Sequence, residues 1–298
     1  MSLHSGLTAA REPGDEGRPG AYRIVTTALA YALPGIFILL PLLLFLLQSF
    51  FYVDHGTEVH DLTLRNYVRF FSDAAFVPVF LRTCVLCLVV AAICIVFAYP
   101  VAYLIASLRG RRKYVMALVF VIPLMMSYII KIYAIRSILG SNGFLNRILL
   151  YFGIIDKPLE FLIFNLQAVA LTLSVLLLPF AILPIFVALE RIPQNLVDAS
   201  ADLGASSWQT FRNVIWPLSL QGTIVAATFT FVLALGDFVT PQMVGGMNGL
   251  TFGRIIYSQF GFAFNWPFGS ALSVILLVFV ALILVATGRI FYRASVAT

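Results

Sequence analysis

The stretch Asp198-Ala199-Ser200-Ala201-Asp202-Leu203-Gly204 is a polar, helix-forming island between long apolar segments, and Pro217 follows Gly204 after thirteen residues. Two aspartates in so short a stretch cannot cross a bilayer, because charged side chains are costly in hydrocarbon. The island must therefore lie in water beside the membrane, where it offers a surface to another molecule.

The segments around the island have the composition of a membrane protein. The chain has 298 residues, of which 61% are hydrophobic and 11% charged, whereas soluble domains average about 25% charged residues. A transmembrane helix needs roughly 20 predominantly apolar residues, and six segments meet that requirement. They are 26–51, 82–108, 114–138, 161–189, 220–245 and 267–290. The predicted fold is an all-α membrane protein of six transmembrane helices, with the island between spans four and five.

A seventh apolar segment, 143–158, is not predicted to cross the membrane. Arg147, Asp156 and Lys157 would have to enter lipid if it did. Its leucines suit a short helix lying at the membrane interface instead.

A basic cluster in the shortest loop between spans indicates the orientation. This loop lies between spans two and three, and its basic residues are Arg109, Arg111, Arg112 and Lys113. Short basic loops remain in the cytoplasm, so both termini and residues 190–219 are expected on that side. The formal charge of +6 follows from such clusters at membrane edges. It predicts contact with the lipid bilayer and no nucleic acid partner.

These spans divide the chain into four parts. Residues 1–25 are predicted to be a flexible cytoplasmic tail, and 26–81 hold the first span with an extracytoplasmic loop. Residues 82–290 form a core of five spans. Residues 291–298 are a second cytoplasmic tail.

No catalytic or metal site is predicted. The three cysteines, Cys84, Cys87 and Cys94, share one face of span two, where cysteine behaves as a small apolar residue. A redox or metal role is the alternative. The three histidines lie outside the spans without Cys or Asp at zinc-ligand spacing. Paired intramembrane carboxylates are also missing, so an enzyme of this class would lack its catalytic groups.

A phosphate-binding loop of the Gly-x4-Gly-Lys-Ser/Thr type is missing as well. Lys113, Lys131 and Lys157 precede Tyr, Ile and Pro, so none can complete that motif. If ATP drives this protein, another polypeptide must bind the nucleotide.

The island itself predicts two short helices joined by a glycine turn. Pro193 suits the first turn of a helix, and Gly204 suits the left-handed conformation that ends one. Either Ser206 with Gln209 or Ser207 with Thr210 could cap the second helix. The first helix has a short apolar stripe, Leu196, Ala199, Ala201 and Leu203.

The second helix of the island leads into span five. Trp208, Phe211 and Val214 are expected on one side of it. Pro217 is expected to mark the bend into the span.

The spacing of the island resembles the cytoplasmic coupling motif of ABC importer permeases, which runs Glu-Ala-Ala, Gly, then Ile-x-Leu-Pro. Asp198-Ala199-Ser200 is followed after three residues by Gly204 and after nine more by Val214-Ile215-Trp216-Pro217, so every spacing is kept. Asp198 replaces Glu and Ser200 replaces the second Ala. Because Asp is shorter by one methylene, the ion pair made at that position is left open.

The resemblance implies the partners and the ATPase-coupling residues. It implies a bacterial inner-membrane permease that forms half of a pore with a second permease subunit. An ABC ATPase dimer would bind ATP and magnesium below, a solute-binding protein would dock outside, and this chain would hold no cofactor. The residues implied to contact the ATPase are Asp198, Ala199, Ser200, Ala201, Asp202, Leu203, Gly204, Ala205 and Pro217.

The alternative for the island is an amphipathic helix resting on the bilayer. That alternative expects Lys or Arg on the polar face. Asp198 and Asp202 occupy the face instead, and anionic headgroups would repel them.

Two ionisable residues inside the predicted spans mark a candidate substrate pathway. Lys131 and Asp237 both lie about 25 Å from the cytoplasmic ends of their spans, counted along unbroken helices. They either neutralise one another across a helix interface, or Asp237 lines the path of a cationic cargo. Tyr128 and Phe238 complete the candidate pathway.

Four further segments resemble spermidine/putrescine-type permeases. These are 129–133, 143–146, 236–246 and 265–269. The resemblance implies a polyamine cargo, with iron, thiamine, phosphonate, opine or amino-acid-like solutes as alternatives. An ion-driven secondary transporter is a rival, although it usually has two repeated halves. A membrane-anchored assembly or signalling protein is another.

Overall fold

The structure, a computed structural model, describes residues 21–296. In this range it forms two compact units, whose boundary in the sequence lies between Leu47 and Gln48. Most of the predicted N-terminal tail, residues 1–20, lies outside the described range, as do residues 297–298.

In the described range, the first unit is one apolar helix, whose last residue, Gln48, is already counted with the second unit. Helix α1 spans Ala21–Gln48 and contains Pro34 and Pro41. It begins before the predicted start of span one at residue 26 and ends before the predicted end at 51.

The second unit opens with a β-hairpin that the all-α prediction did not include. Strands β1, Tyr52–Asp54, and β2, Thr57–Val59, pair antiparallel. His55 and Gly56 between them have φ of 46° and 82°, as the two central residues of a type I′ turn require. A short helix, α2, follows at Arg65–Ser72.

The rest of the second unit is helical. Its helices are α3 Phe76–Ser107, α4 Arg111–Met125, α5 Tyr128–Leu139, α6 Phe144–Tyr151, α7 Leu166–Glu190, α8 Gln194–Asp202, α9 Ser207–Thr210, α10 Trp216–Gly236, α11 Val239–Val244, α12 Phe252–Gly261 and α13 Trp266–Val296. A 3-10 turn lies at Glu160–Leu162, and a π-helical turn joins α9 to α10 at Phe211–Ile215.

Within the described residues, five helices have the length and hydropathy of membrane spans, and a bent pair makes a sixth. The six-span prediction is therefore confirmed. Within the segment 143–158, residues Phe144–Tyr151 form the expected short helix, α6; its position at the membrane interface stays a prediction. Helix α13 continues past the predicted end of span six at residue 290.

Helices α3, α7 and α10 form the centre of the bundle. Gly222 lets α10 approach α7 closely, because a Cβ atom there would lie 2.7 Å from the carbonyl oxygen of Pro184. Cys87 and Cys94 lie buried in this core, and the Cys94 thiol donates to the carbonyl of Ser174 at 3.4 Å. The described residues contain no group of three or more His, Cys, Asp or Glu that could hold a metal ion.

Two predicted spans are broken, and here the sequence prediction was wrong. Span three stops at Met126 and restarts at Tyr128, with a 94° bend between α4 and the segment Tyr128–Tyr151. Span five stops at Gly236 and continues as α11. Met126, Ser127 and Asp237 all have extended ψ values, between 122° and 147°, which interrupt the helical hydrogen bonds.

Candidate coupling and translocation sites

The island folds as two helices around a glycine turn, as predicted. Helix α8 ends at Asp202, and Gly204 has φ +81°, the left-handed conformation that favours glycine. Ser206 and Gln209 form a capping box: the Gln209 amide donates to Ser206 Oγ at 3.4 Å, and the Ser206 amide donates to Gln209 Oε1 at 2.7 Å. Of the two predicted caps, the first is the one present. Pro193 lies immediately before the first helix, at the N-cap position. We call residues 194–210 the hairpin.

The side of α8 that contacts the rest of the chain differs from the predicted apolar stripe. The stripe residues Leu196, Ala199, Ala201 and Leu203 are all exposed, Leu203 by 88%. Val197 packs against the core instead, and Ser200 Oγ lies 2.9 Å from Thr210 Oγ1. Thr210 is buried. The sequence suggested it only as a cap partner of Ser207, because only the fold shows that it lies opposite Ser200.

The exposed side of α8 therefore presents small and acidic groups. Asp198 and Asp202 are exposed one helical turn apart, with Ala199 between them. The Gln194 amide donates to Asp198 Oδ1 at 3.2 Å, an i,i+4 contact on the helix surface. No residue of α8 is buried, so this surface is open to a partner.

An aromatic cluster fastens the hairpin to span two. Trp208 and Phe211 stack with ring centroids 5.4 Å apart. This agrees with the prediction that both residues lie on one side of the helix. Phe211 also contacts Tyr99 and Tyr103 of α3, at 5.9 and 6.0 Å. The two tyrosines were missed, since they lie more than 100 residues away in sequence.

Pro217 does not mark a bend, so that prediction was wrong. Helical geometry is continuous from Ser207 to Gly236, and Pro217 lies in the first turn of α10. The preceding π-turn explains the continuity. In the π-turn, the Trp216 amide donates to the carbonyl of Phe211, five residues earlier. This wider turn comes directly before Pro217, which has no N–H to donate.

The basic loop lies at the same end of the bundle as the hairpin. Lys113 Nζ is 3.4 Å from Glu190 Oε1, which joins the start of α4 to the end of α7. A cavity of about 670 Å³ lies between this loop and α8, with Arg109 and Gln194 in its wall. The fold thus brings together the two segments that orientation rules predict on one side of the membrane.

The breaks in spans three and five meet at Tyr128 and Asp237. The Tyr128 hydroxyl donates to Asp237 Oδ2 at 2.6 Å and lies 3.0 Å from Thr240 Oγ1. Asp237 Oδ1 accepts from the backbone amides of Val239 and Thr240 at 2.9 and 3.3 Å. The carboxylate thus caps the start of α11 and ties it to α5.

Lys131 does not pair with Asp237, so the mutual-neutralisation hypothesis was wrong. Its ammonium donates to the carbonyl oxygen of Pro123 at 3.1 Å. That carbonyl is in the last turn of α4, where it also accepts from the Met126 amide at 3.3 Å, and a cation is favourable at this end of a helix. The equal-depth estimate failed because it counted along an unbroken span three.

Phe238 lies beside the other pathway residues but contacts a different helix. Its ring stacks on Tyr257 of α12, with centroids 4.7 Å apart and planes 14° apart. The described residues contain one ion pair between side chains, Lys113–Glu190. The Asp237 carboxylate is therefore hydrogen-bonded but not neutralised by a cation of this part of the chain.

Comparison with known proteins decides the family. Residues 6–296 match the family described as binding-protein-dependent transport system inner membrane component. The chain belongs to this family. It is accordingly a multi-pass inner-membrane component of a transport system, and not itself an enzyme.

Two relatives share about a third of their residues with it. The spermidine/putrescine transport system permease protein PotB of Escherichia coli is 33% identical over 261 residues, which cover 87% of this chain and 93% of the relative. PotB of Haemophilus influenzae is 32% identical over 276 residues, which cover 92% and 94%.

Solved structures share the fold. A chain of a bacterial ABC transporter that imports the acidic polysaccharide alginate matches with a TM-score of 0.71 over 91% of this chain and 96% of its own. A chain of the inward-facing MetNI methionine ABC transporter matches with a TM-score of 0.57 over 74% and 99%. At 15% and 23% identity these likenesses show the architecture alone.

Proposed function

We propose that this chain is the permease subunit of an ATP-driven importer and forms half of its pore with a second permease subunit. A separate ABC ATPase dimer binds ATP and magnesium and contacts α8, and a solute-binding protein docks on the opposite side of the membrane. Both termini lie in the cytoplasm. The observation that carries the proposal is the hairpin, which presents an exposed acidic helix and leads directly into span five.

In this mechanism the hairpin converts nucleotide binding into movement of the spans. ATP closes the ATPase dimer, and α8 moves with the cleft that holds it. Asp198 and Asp202 are exposed and available to basic groups of that cleft. The Ser200–Thr210 contact and the Phe211 cluster pass the movement to span five and span two. Hydrolysis then resets the inward-facing state.

For the cargo, we propose a polyamine such as putrescine or spermidine. Two observations support it: the named relatives transport spermidine and putrescine, and Asp237 supplies an intramembrane carboxylate without a neutralising cation in the described chain. A membrane-buried charge is costly and is retained where it serves an ion or substrate. Another small cationic solute would meet the same group.

Disruption of the glycine turn tests the coupling role. Gly204→Pro cannot adopt φ +81°, because the proline ring holds φ near −65°. We expect the purified complex to keep ATP hydrolysis while losing solute uptake. Gly153→Pro is the matched control, since Gly153 also has positive φ, +64°, with open space around it, and lies outside the hairpin. Normal uptake by Gly204→Pro would refute coupling through the hairpin.

Two measurements test transport class and cargo. Uptake by this chain alone in vesicles with an ion gradient would establish a secondary transporter and refute the ATP-driven mechanism. In the complete complex, unlabelled putrescine and spermidine should compete with labelled putrescine, while unrelated neutral and anionic solutes should not. Absence of amine uptake would refute the polyamine cargo and leave the coupling role standing.

A further inference from the structure

A second cavity opens at the break of span five. It has a volume of about 230 Å³, and its walls come from α10, α12 and α13 together with Phe238. Gly236 and Gly253 both line it. A Cβ atom on Gly253 would lie 3.0 Å from the backbone oxygen of Asp237, so the absence of a side chain leaves the broken backbone open at this wall.

Two helix ends of opposite polarity meet at this cavity, because Gly253 lies in the first turn of α12 and Gly236 in the last turn of α10. The α10 end is the one that favours a cation. Helix α10 ends at Gly236, and the C-terminal end of a helix carries a partial charge of about −0.5. Its last carbonyl groups have no partner within the helix. Gly236, the last residue of α10, is at the wall itself. In membrane proteins, the carbonyl ends of broken helices are favourable positions for cations.

Aromatic faces complete the wall. Phe238 and Tyr257 form a parallel stack, and each is 37% exposed. Phe260 is a third aromatic residue of the lining, and Ser273 adds a hydroxyl. Aromatic faces attract an ammonium group, more strongly where water is excluded.

The nearest basic residue in sequence does not oppose this charge. Arg254 lies on α12 between Gly253 and Tyr257, but its guanidinium donates to the carbonyl of Gly246 in the turn before that helix. It is not among the residues that line the cavity.

We propose that this cavity is a subsite for one alkylammonium end of an amine cargo. This inference rests on the proposed function and adds to it a binding position distinct from the Asp237 carboxylate. The volume is below the roughly 300–1,000 Å³ of sites for drug-sized ligands. The cavity therefore accepts a primary ammonium with a few methylene groups, and the rest of a polyamine extends beyond it.

Binding and transport by the whole complex in lipid nanodiscs and vesicles test the subsite, with putrescine as the probe. Tyr257→Leu removes the aromatic face and should weaken putrescine binding by about 2- to 30-fold, with a matching rise in transport KM. Tyr257→Phe keeps the face and should stay within about twofold of the wild type. Tyr151→Leu is the matched control, because Tyr151 is 86% exposed and lies on α6.

A third variant fills the cavity without disturbing the fold. At Gly236 an added Cβ meets nothing within 4 Å, so Gly236→Leu should fold and occupy the space that the ammonium needs. All four variants should assemble with the other subunits, which size-exclusion chromatography of the purified complex checks.

The outcomes separate this inference from the proposed function. Amine uptake with an unchanged KM in Tyr257→Leu and Gly236→Leu would overturn the subsite and leave the polyamine importer standing. If the wild-type complex neither binds nor imports any amine, both are overturned. Equal losses in Tyr257→Phe and Tyr257→Leu would also overturn the subsite, because the hydroxyl, and not the aromatic face, would then be responsible.

Discussion

Removal of the hydroxyl of Thr210 should loosen the hairpin without changing its shape. Thr210→Val keeps a β-branched side chain of similar size at a buried position but deletes the partner of Ser200 Oγ, 2.9 Å away. No residue of α8 is buried, and this contact and Val197 are two of the points at which the helix packs against the rest of the chain.

The magnitude follows from one hydrogen bond. A neutral hydrogen bond contributes about 1 kcal/mol net, which shifts a local opening equilibrium about fivefold. We therefore expect the α8 amide protons of Thr210→Val to exchange about fivefold faster in the purified complex. More ATP should also be hydrolysed per solute imported, because a loosened α8 transmits less of the movement.

A double-mutant cycle checks that this contact is the cause. Ser200→Ala and Thr210→Val should each loosen α8, and the double variant should be less destabilised than their sum by about 0.5–1.5 kcal/mol. Ser207→Ala is the control, because it removes an exposed hydroxyl from the same hairpin. Additive effects, or unchanged exchange in Thr210→Val, would refute the reasoning.

Three further predictions concern the spans. Tyr128→Phe removes the donor to the span-five carboxylate and should lower the free energy of unfolding by about 1.5–3 kcal/mol, whereas an unchanged melting temperature of the complex would contradict this. Lys113→Glu should reduce transport, and the double variant Lys113→Glu with Glu190→Lys should restore transport. The free energy of unfolding should change by less than about 1 kcal/mol, because the ion pair is partly exposed. Gly222→Val should destabilise by about 1–3 kcal/mol through overpacking against α7, while Gly236→Ala, with open space around its Cβ, should be neutral in the same melting assay.

The sequence predicted the parts of the fold that depend on local properties. Span number followed from the length of the apolar segments, and the hairpin followed from Gly204 and the Ser206 cap. Glycine at the end of a helix and serine at the N-cap both have strong conformational preferences, which do not depend on contacts with the rest of the fold. The interruptions at Met126 and Gly236 had no such signal, because a span that is apolar on every side has no periodicity to mark where it breaks.

The hydrogen-bond partners of Lys131 and Asp237 could not be predicted from the sequence either. Lys131 and Asp237 suggested an ion pair because charges in lipid are usually paired with one another. In the structure each bonds to the end of a broken helix, Pro123 O for the ammonium and the Val239 and Thr240 amides for the carboxylate. Backbone groups become available only where a helix breaks, so the missed breaks and the wrong pairing have one cause.

In the proposed mechanism, one long helical run connects the hairpin with the Tyr128–Asp237 contact. The helical run from Ser207 to Gly236 has 30 residues and is about 45 Å long, so it connects the hairpin at one end with the break at Asp237 at the other. A continuous helix resists bending, and therefore a displacement of α9 must move Gly236 unless the π-turn absorbs it. The Tyr99 hydroxyl lies 2.7 Å from Ser219 Oγ, just beyond that turn, and holds α10 to span two. In the proposed mechanism, movement at the hairpin is therefore expected to reach the Tyr128–Asp237 contact along α10.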